Sequence, residues 1–199
     1  MSNVPVSYPD EAVLVERCKG GDLAAFDQLV LQHQQAVFAV AMRMLGDRDE
    51  AQDVAQDVFV HAYRGFGSFR QEAKLSTWLI SITMNLCRNR RRWWARRRRI
   101  IVASLDELVE GEEGAREHEV ADPSPTPVDI AQTRERQRYM VAALQSLDEA
   151  SRTVIVLRDI QGHSYEEVAH ILRCQIGTVK SRLNRARLRL RALLDGTLS

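Results

Sequence analysis

A group of cationic side chains near the C-terminus is the first feature of this sequence with a recognisable chemistry. From Val168 to Leu194 there is no Asp or Glu, while seven positions are basic: Arg173, Lys180, Arg182, Arg185, Arg187, Arg189 and Arg191. Such cations suit phosphate groups, and the interleaved Thr178, Ser181 and Asn184 could reach base edges. A solvated basic face is the usual meaning of a charge run, but a solvated helix ordinarily mixes charges of both signs. The pattern therefore favours DNA binding.

Two helices are predicted to position these side chains. Ser164 and Glu167 have the spacing of a capping box, which begins a first helix, and the break at 173–176 is too short for anything but a tight turn. In the second helix the apolar residues recur at steps of three and four: Val179, Leu183, Ala186, Leu190 and Leu193. This stripe faces a core and leaves the basic residues outside, as in a helix-turn-helix.

A second basic segment lies at 88–99, where eight arginines and no acid surround Trp93 and Trp94. Guanidinium groups can meet phosphates while indole rings stack on bases, so this segment suits a nucleic-acid surface. At least one of the two tryptophans is expected to pack in the core instead. Ser76 or Thr77 is predicted to cap the helix that carries the segment, after a loop over 65–74.

An acidic helix is predicted to begin at Asp47. Its outer side carries Asp49, Glu50, Asp53, Gln56 and Asp57. Such a face commonly serves solubility alone. Phe59 and Tyr63 of the same helix could belong either to this outer side or to the core.

Composition predicts an all-α protein without a cofactor. Helix formers dominate, β-branched alternation is absent, and the 199 residues include only five prolines and ten glycines. The three cysteines lack metal or disulfide spacing, and we expect no metal site, signal peptide or membrane insertion. No glycine-rich phosphate loop or nucleophile–base set points to an enzyme. The chain is predicted to be cytoplasmic.

The predicted organisation is two small helical domains joined by a flexible acidic linker. A disordered tail covers residues 1–9, a first domain 10–99, the linker 100–128 and a second domain 129–199. The linker carries eight acids between Asp106 and Asp122, followed by three prolines that oppose helix formation. It could be a mere tether or could mimic nucleic-acid phosphates.

Residues 162–169 and 177–186 resemble region 4 of bacterial sigma factors of the extracytoplasmic-function (ECF) group, within the sigma-70 family. Residues 53–64 resemble sigma region 2. The resemblance implies a transcription initiation factor that binds core RNA polymerase through the β′ clamp coiled coil and the β flap, and reads the −35 and −10 promoter elements. It also implies a stress or envelope signal and an anti-sigma factor. A freestanding helix-turn-helix regulator is the alternative, although such a protein would be expected to carry a sensor or dimerisation domain in its N-terminal half.

Site residues follow from the resemblance, position by position. Polymerase docking is assigned to Asp53, Gln56, Asp57 and Arg64. Recognition of the −10 element is assigned to Phe69, Arg70, Lys74, Leu75, Asn85, Arg88, Arg91 and Arg92. Recognition of the −35 element is assigned to Thr178, Lys180, Ser181, Arg182, Asn184, Arg185 and Arg187.

Overall fold

The computed structural model describes residues 11–71, 73–104, 135 and 138–197, and every regular element among them is helical. The first half comprises α1 (Glu11–Lys19), α2 (Leu23–Leu45), α3 (Arg48–Gly65), a 3₁₀ turn (Phe66–Ser68) and α4 (Leu75–Ser104). The second half comprises α5 (138–145), α6 (Glu149–Ile155) with a π-helical continuation (Val156–Ile160), α7 (Tyr165–Leu172) and α8 (Ile176–Thr197). The all-α prediction is confirmed.

Local capping signals fix most helix ends in the first domain. Asp22 Oδ1 accepts a hydrogen bond from the backbone N–H of Ala25, and Asp47 caps α3 in the same way. Gly46 ends α2 with φ 79°, a left-handed conformation that glycine adopts without steric cost. The cap predicted at Ser76 or Thr77 is wrong, because α4 begins at Leu75 and both residues lie inside its first turn.

The first domain is a bundle in which α2, α3 and α4 pack on one another and α1 packs on α2. Its fully buried side chains include Leu14, Val37, Val40, Met44, Val54, Val58 and Cys87. Burial in apolar surroundings raises the pKa of the Cys87 thiol to about 12, so this thiol stays protonated. α4 continues to Ser104, beyond the predicted boundary at residue 99, because residues 100–104 include neither Gly nor Pro.

The second domain contains the predicted helix-turn-helix. The capping box is confirmed: the Glu167 N–H donates to Ser164 Oγ at 3.1 Å, and the Ser164 N–H donates to Glu167 Oε2 at 2.8 Å. Arg173 ends α7 in a left-handed conformation with φ 51°, and α8 begins three residues later at Ile176. The predicted tail at 1–9, residues 105–128 of the predicted linker, and residues 129–134 of the second domain lie outside the described residues.

The two domains contact each other through a set of hydrogen bonds that we call the domain interface. Its centre is Arg152 of α6, whose side chain is 1% exposed and donates to the backbone oxygen of Met44 at 2.8 Å. Gln145 Nε2 donates to Arg43 O at 3.0 Å. Gly46 has φ 79°, and a Cβ there would lie 2.8 Å from the flexible Gln145 side chain, so a substitution would strain the backbone and displace that side chain.

No helix in the described part of the chain combines the length and the apolar character that a membrane span requires.

Two aspartates at helix N-termini should make the fold sensitive to acid. The pKa values of Asp22 and Asp148 are lowered, chiefly because the backbone N–H groups of Ala25 and Ser151 donate to their carboxylates. A carboxylate with a lowered folded-state pKa contributes stability above its ordinary pKa, about 4, and loses it as the pH falls through the folded value. We therefore expect the melting temperature to fall below about pH 4, and to fall less in the variant D22N/D148N.

Circular-dichroism melts over a pH series check this expectation. The double variant is the matched control, since Asn also caps helices but carries no titrating proton. Equal losses of melting temperature in both proteins at low pH would show that other carboxylates control the acid response.

Candidate nucleic-acid interface

The outer side of α8 presents the basic and polar residues predicted from the sequence. Val179, Leu183 and Ala186 are buried against the rest of the domain, so the opposite side of the helix faces solvent. The exposed members of the predicted set are Lys180, Ser181, Asn184, Arg185 and Arg187, and the half-buried ones are Thr178 and Arg182. We call these seven residues the basic face of α8.

Some of the cations on α8 have acidic partners within their own domain. Arg187 donates to both carboxylate oxygens of Asp159, at 2.9 and 2.5 Å, and this bidentate pair raises the pKa of Arg187. Arg189 forms an ion pair with Asp148. Lys180 Nζ lies 5.5 Å from the centre of the Tyr165 ring and acts on Glu166 through its charge, without a bidentate pair like that of Arg187. Lys180 is therefore better placed than Arg187 to attract a phosphate.

A cavity of about 200 Å³ lies where the loop after α3 meets the start of α4. We call it the α4 cavity; it is lined by Ser68, Phe69, Arg70, Gln71, Ala73, Thr77, Trp78, Ser81 and His170. Phe69 and Trp78 stack with ring centres 4.7 Å apart, which gives the cavity a flat aromatic wall. Hydroxyl, amide and guanidinium groups supply the polar part of the lining. The arrangement suits a flat, partly polar ligand such as a nucleobase.

Two of the residues predicted from the sequence for −10 recognition line this cavity. Phe69 and Arg70 line it, whereas Lys74 and Asn85 are exposed beside it. Leu75 is 2% exposed and packs in the core, so it does not line the cavity. The prediction omitted six lining residues that can hydrogen-bond or stack, namely Ser68, Gln71, Thr77, Trp78, Ser81 and His170. Helical spacing from Lys74 would have indicated Thr77, Trp78 and Ser81.

The predicted arginines of α4 divide into two groups. Arg88 Nε lies 3.3 Å from Glu149 Oε1, and Arg91 Nη1 donates to Gln145 Oε1 at 3.5 Å, so both take part in the domain interface. Arg92 is exposed.

Both tryptophans of α4 are exposed, Trp93 to 44% and Trp94 to 38%. The prediction that at least one of them packs in the core is therefore wrong. The physical reason is that α4 extends beyond the ends of the helices on which it packs. Cys87 is the last buried residue of α4 among those whose side chains are described. Composition indicates two large apolar rings, but it does not indicate where the neighbouring helices end.

The four predicted docking residues of α3, namely Asp53, Gln56, Asp57 and Arg64, are all exposed on the side away from the core. Together with Val60 and Tyr63 they form what we call the outer face of α3. Val60 and Tyr63 are 47% and 43% exposed, which places apolar surface in the middle of a polar rim. Val60 was missed by the sequence prediction, although it is out of step with the buried residues Val54 and Val58.

No group of three or more His, Cys, Asp or Glu side chains within the described ranges is arranged to hold a metal ion.

Family comparisons give matches for both halves of the chain. Residues 29–100 match the family model "Sigma-70 region 2", and residues 137–190 match "Sigma-70, region 4". The RNA polymerase sigma-H factor of Pseudomonas aeruginosa is 38% identical over 176 residues, which cover 87% of this chain and 88% of that protein. The ECF RNA polymerase sigma-E factor of Escherichia coli K12 is 35% identical over 177 residues, covering 89% and 90%.

Two solved structures have similar folds over most of the chain. CnrH, in complex with the cytosolic domain of CnrY, aligns with a TM-score of 0.65 and 28% identity, covering 94% of this chain and 99% of CnrH. The sigma factor RpoE from Bartonella quintana, in complex with the anti-sigma factor NepR, aligns with a TM-score of 0.62 and 32% identity, covering 85% and 96%. The likeness therefore spans both domains in the same order.

Proposed function

The chain belongs to the sigma-70 family and is a transcription initiation sigma factor of the ECF group, and on this premise we propose which partner each of its surfaces binds. The α4 cavity receives a base of the −10 element, the basic face of α8 reads the −35 element, and the outer face of α3 docks on core RNA polymerase. The protein works in the cytoplasm, where the polymerase and the promoters are.

The composition of the α4 cavity supports capture of an extruded base. A base taken out of the stack loses its neighbours, so a binding site must replace them with an apolar wall and with hydrogen bonds to the base edge. The stacked Phe69 and Trp78 supply the wall. Arg70 supplies donors, and the hydroxyl oxygens of Thr77 and Ser81, which themselves donate to Glu167 Oε1 and Trp78 O, can accept. Arg70 carries the positive charge that attracts the phosphate of the same nucleotide.

The geometry of α7 and α8 supports major-groove recognition of the −35 element. In a helix-turn-helix the N-terminal residues of the second helix contact base edges, and flanking cations hold the backbone. Ser181 and Asn184 lie on the exposed side near the start of α8, next to Lys180 and Arg185. The polar residues are thus suited to specify sequence, and the cations to supply affinity.

The outer face of α3 has the composition of a protein interface. Its apolar centre, Val60 and Tyr63, lies within a rim of charged and amide groups, a distribution that matches hot-spot surfaces. We assign it to the β′ clamp coiled coil, and the second domain to the β flap. Complexes of CnrH with CnrY and of RpoE with NepR support an anti-sigma factor as a further partner of this chain.

The described arrangement of the two domains is a closed one. His170 of α7 contributes to the lining of the α4 cavity, and Thr77 Oγ1 donates to Glu167 Oε1 at 3.2 Å across the domain interface. His170 of α7 restricts the space beside a base in the cavity. We therefore propose that promoter binding moves the second domain away, which polymerase can impose by holding the two domains at separate sites.

The observation that carries this proposal is that one chain bears both a base-sized cavity with an aromatic wall and a helix-turn-helix whose second helix exposes basic and polar side chains. Run-off transcription with purified core polymerase on genomic fragments tests it. We expect defined start sites whose upstream sequences share two motifs at constant spacing. Transcription equal to that of core polymerase alone would reject the proposal, and operator binding without polymerase would favour a freestanding regulator.

Two substitutions on α8 should separate specificity from affinity. Asn184→Ala should relax base preference at one −35 position by about tenfold, since a good bidentate base contact discriminates by about 1–3 kcal/mol. Lys180→Ala should weaken binding to all −35 sequences alike and reduce the salt slope by about 1. Holoenzyme binding to a set of single-base −35 variants at several salt concentrations measures both. Each variant serves as the control for the other, and identical profiles for the two would contradict the assignment.

A further inference from the structure

The cations of α8 have different partners in the two halves of the helix. In the C-terminal half each arginine is paired with a carboxylate: Arg187 with Asp159, Arg189 with Asp148 and Arg191 with Asp195. The three cations of the N-terminal half form no direct ion pair within the described part of the chain, namely Lys180, Arg182 and Arg185. The positive charge that α8 can offer to DNA is therefore concentrated in its N-terminal half.

The pair between Arg187 and Asp159 uses the groups with which an arginine binds phosphate. Asp159 Oδ2 accepts a hydrogen bond from Arg187 Nε at 2.9 Å, and Oδ1 accepts one from Nη2 at 2.5 Å. Phosphates and carboxylates are bound by the same two parallel N–H groups of a guanidinium. The Asp159 carboxylate thus occupies the place that a phosphate would take. The Arg187 side chain is 52% exposed, so the pair lies at the surface.

Arg187 lies on a side of α8 that carries residues of the predicted DNA contact. It follows Lys180 by seven residues, close to two helical turns, so the two side chains lie on the same side, about 10 Å apart along the axis. Asn184 lies between them on that side, and all three residues are exposed. Without its partner, Arg187 would extend this row of DNA-facing groups by one cation.

α6 and its π-helical continuation fix α8 from two sides. Asp159 belongs to the π-helical segment Val156–Ile160, a rare conformation that is frequent at functional sites. Asp148, at the other end of α6, pairs with Arg189. Residues two apart on a helix point about 200° apart, so Arg187 and Arg189 lie on opposite sides of α8. Arg187 can therefore turn toward a phosphate only by breaking its pair with Asp159.

We propose that Asp159 limits the affinity of the chain for DNA by keeping Arg187 away from phosphate. Asp159 is a positioning residue in this account, because it acts through Arg187. The inference rests on the proposed function, in which the basic face of α8 contacts DNA, and it removes Arg187 from the phosphate contacts. Fewer phosphate contacts weaken the sequence-independent part of binding, which keeps the chain from occupying arbitrary DNA in the absence of polymerase.

Asp159→Asn should increase the affinity of the full-length chain for DNA of arbitrary sequence. The amide keeps the shape of the side chain but no longer compensates the guanidinium charge. We expect a gain of about five- to tenfold at about 0.1 M salt and a salt slope steeper by about 1, since each phosphate contact contributes about 0.9 to the slope. Asp159→Glu keeps the carboxylate and should stay within about twofold of wild type. Fluorescence anisotropy of a labelled duplex with scrambled sequence, at several salt concentrations, measures both quantities.

A double-mutant cycle shows whether the effect passes through Arg187. In an Arg187→Gln background, Asp159→Asn should change the affinity by less than about twofold, because there is no guanidinium to release. Asp27→Asn makes the same charge change on α2 of the first domain and should also stay within about twofold. The inference is overturned if Asp159→Asn has no effect, if its effect persists without Arg187, or if Asp27→Asn reproduces it. A lower affinity of Asp159→Asn would also overturn it, since Asp159 would then orient Arg187 for a DNA contact.

Two controls separate this inference from folding and from the proposed function. Far-ultraviolet circular dichroism of Asp159→Asn and Arg187→Gln should match wild type, since a surface ion pair contributes little to stability. Lys180→Ala should reduce the salt slope by about 1 on the same duplex. If Lys180→Ala has no effect, the basic face of α8 does not bind DNA, and that part of the proposed function falls together with the inference. If Lys180→Ala weakens binding while Asp159→Asn equals wild type, only the inference falls.

Discussion

Asp53→Lys should reduce the affinity of the chain for core RNA polymerase by about 100-fold, because it places a cation where a partner surface complementary to carboxylates is expected. Asp53 is exposed on the outer face of α3 and has no packing role in the domain. Its neighbour Asp57 lies 3.9 Å from Arg90, so Asp57 is already partly compensated within the chain. Asp53 is therefore the carboxylate most available to a partner. Fluorescence titration of labelled chain with core polymerase measures the effect.

Asp27→Lys is the matched control for this prediction. Asp27 is an exposed aspartate on α2, outside the outer face of α3, and its reversal changes the net charge by the same amount. It should leave polymerase affinity within about twofold of wild type, since Asp27 lies on a different helix from the outer face of α3 and the field of an exposed charge is screened by salt. Equal losses in both variants would mean that net charge, not the outer face of α3, governs the association. If neither variant loses polymerase affinity, the outer face of α3 is not part of the docking surface.

Arg152→Met should lower the free energy of unfolding by about 3 kcal/mol, which is the range for removing one partner from a buried charged group. The Arg152 guanidinium is 1% exposed and donates to four backbone oxygens, those of Met44, Leu144, Gln145 and Leu147, at 2.7–3.0 Å. Methionine fills a similar volume but donates nothing, so these carbonyl groups would lose their donor in a buried site. Urea unfolding followed by circular dichroism gives the free energy and the m-value.

Two further substitutions make the Arg152 prediction specific. Arg152→Lys should recover part of the loss, because an ammonium keeps the charge but cannot reach all four oxygens with one planar group. Arg185→Met removes an exposed arginine from α8 and should change stability by less than about 0.5 kcal/mol. If Arg152→Met also changes the free energy of unfolding by less than about 0.5 kcal/mol, water must be able to satisfy the carbonyl groups, and Arg152 does not hold the domains together.

The helices and their ends could largely be predicted from the sequence, because the signals are local. Asp22, Asp47 and Ser164 each cap a helix through a backbone N–H three residues away, so a short window contains both partners. The apolar stripe of α8 could likewise be predicted from local spacing alone, such as that of Val179 and Leu183. Periodicity and capping therefore predict elements well wherever the deciding contacts lie within a few residues.

Long-range contacts could not be predicted in this way. Arg152 reaches Met44 across 108 residues, and nothing near Arg152 in the sequence indicates a buried cation. His170 lines the α4 cavity from the second domain, and nothing near His170 in the sequence indicates this contact either. Trp93 and Trp94 are exposed because the neighbouring helices end before them, a property of the packing and not of the segment. The candidate site residues on single helices were accessible to sequence reasoning, whereas those that depend on the meeting of two domains were not.

The central claim is that the two nucleic-acid sites act together only when core polymerase holds the domains apart. The most direct test compares promoter affinity of the chain alone with that of the holoenzyme, on one duplex carrying both elements. The account predicts that the chain alone binds at least about 1,000-fold more weakly and without preference for the promoter, because α7 restricts the cavity in the closed arrangement and a tethered second contact multiplies affinity by about 100–10,000. Equal affinity and equal preference in the absence of polymerase would contradict it.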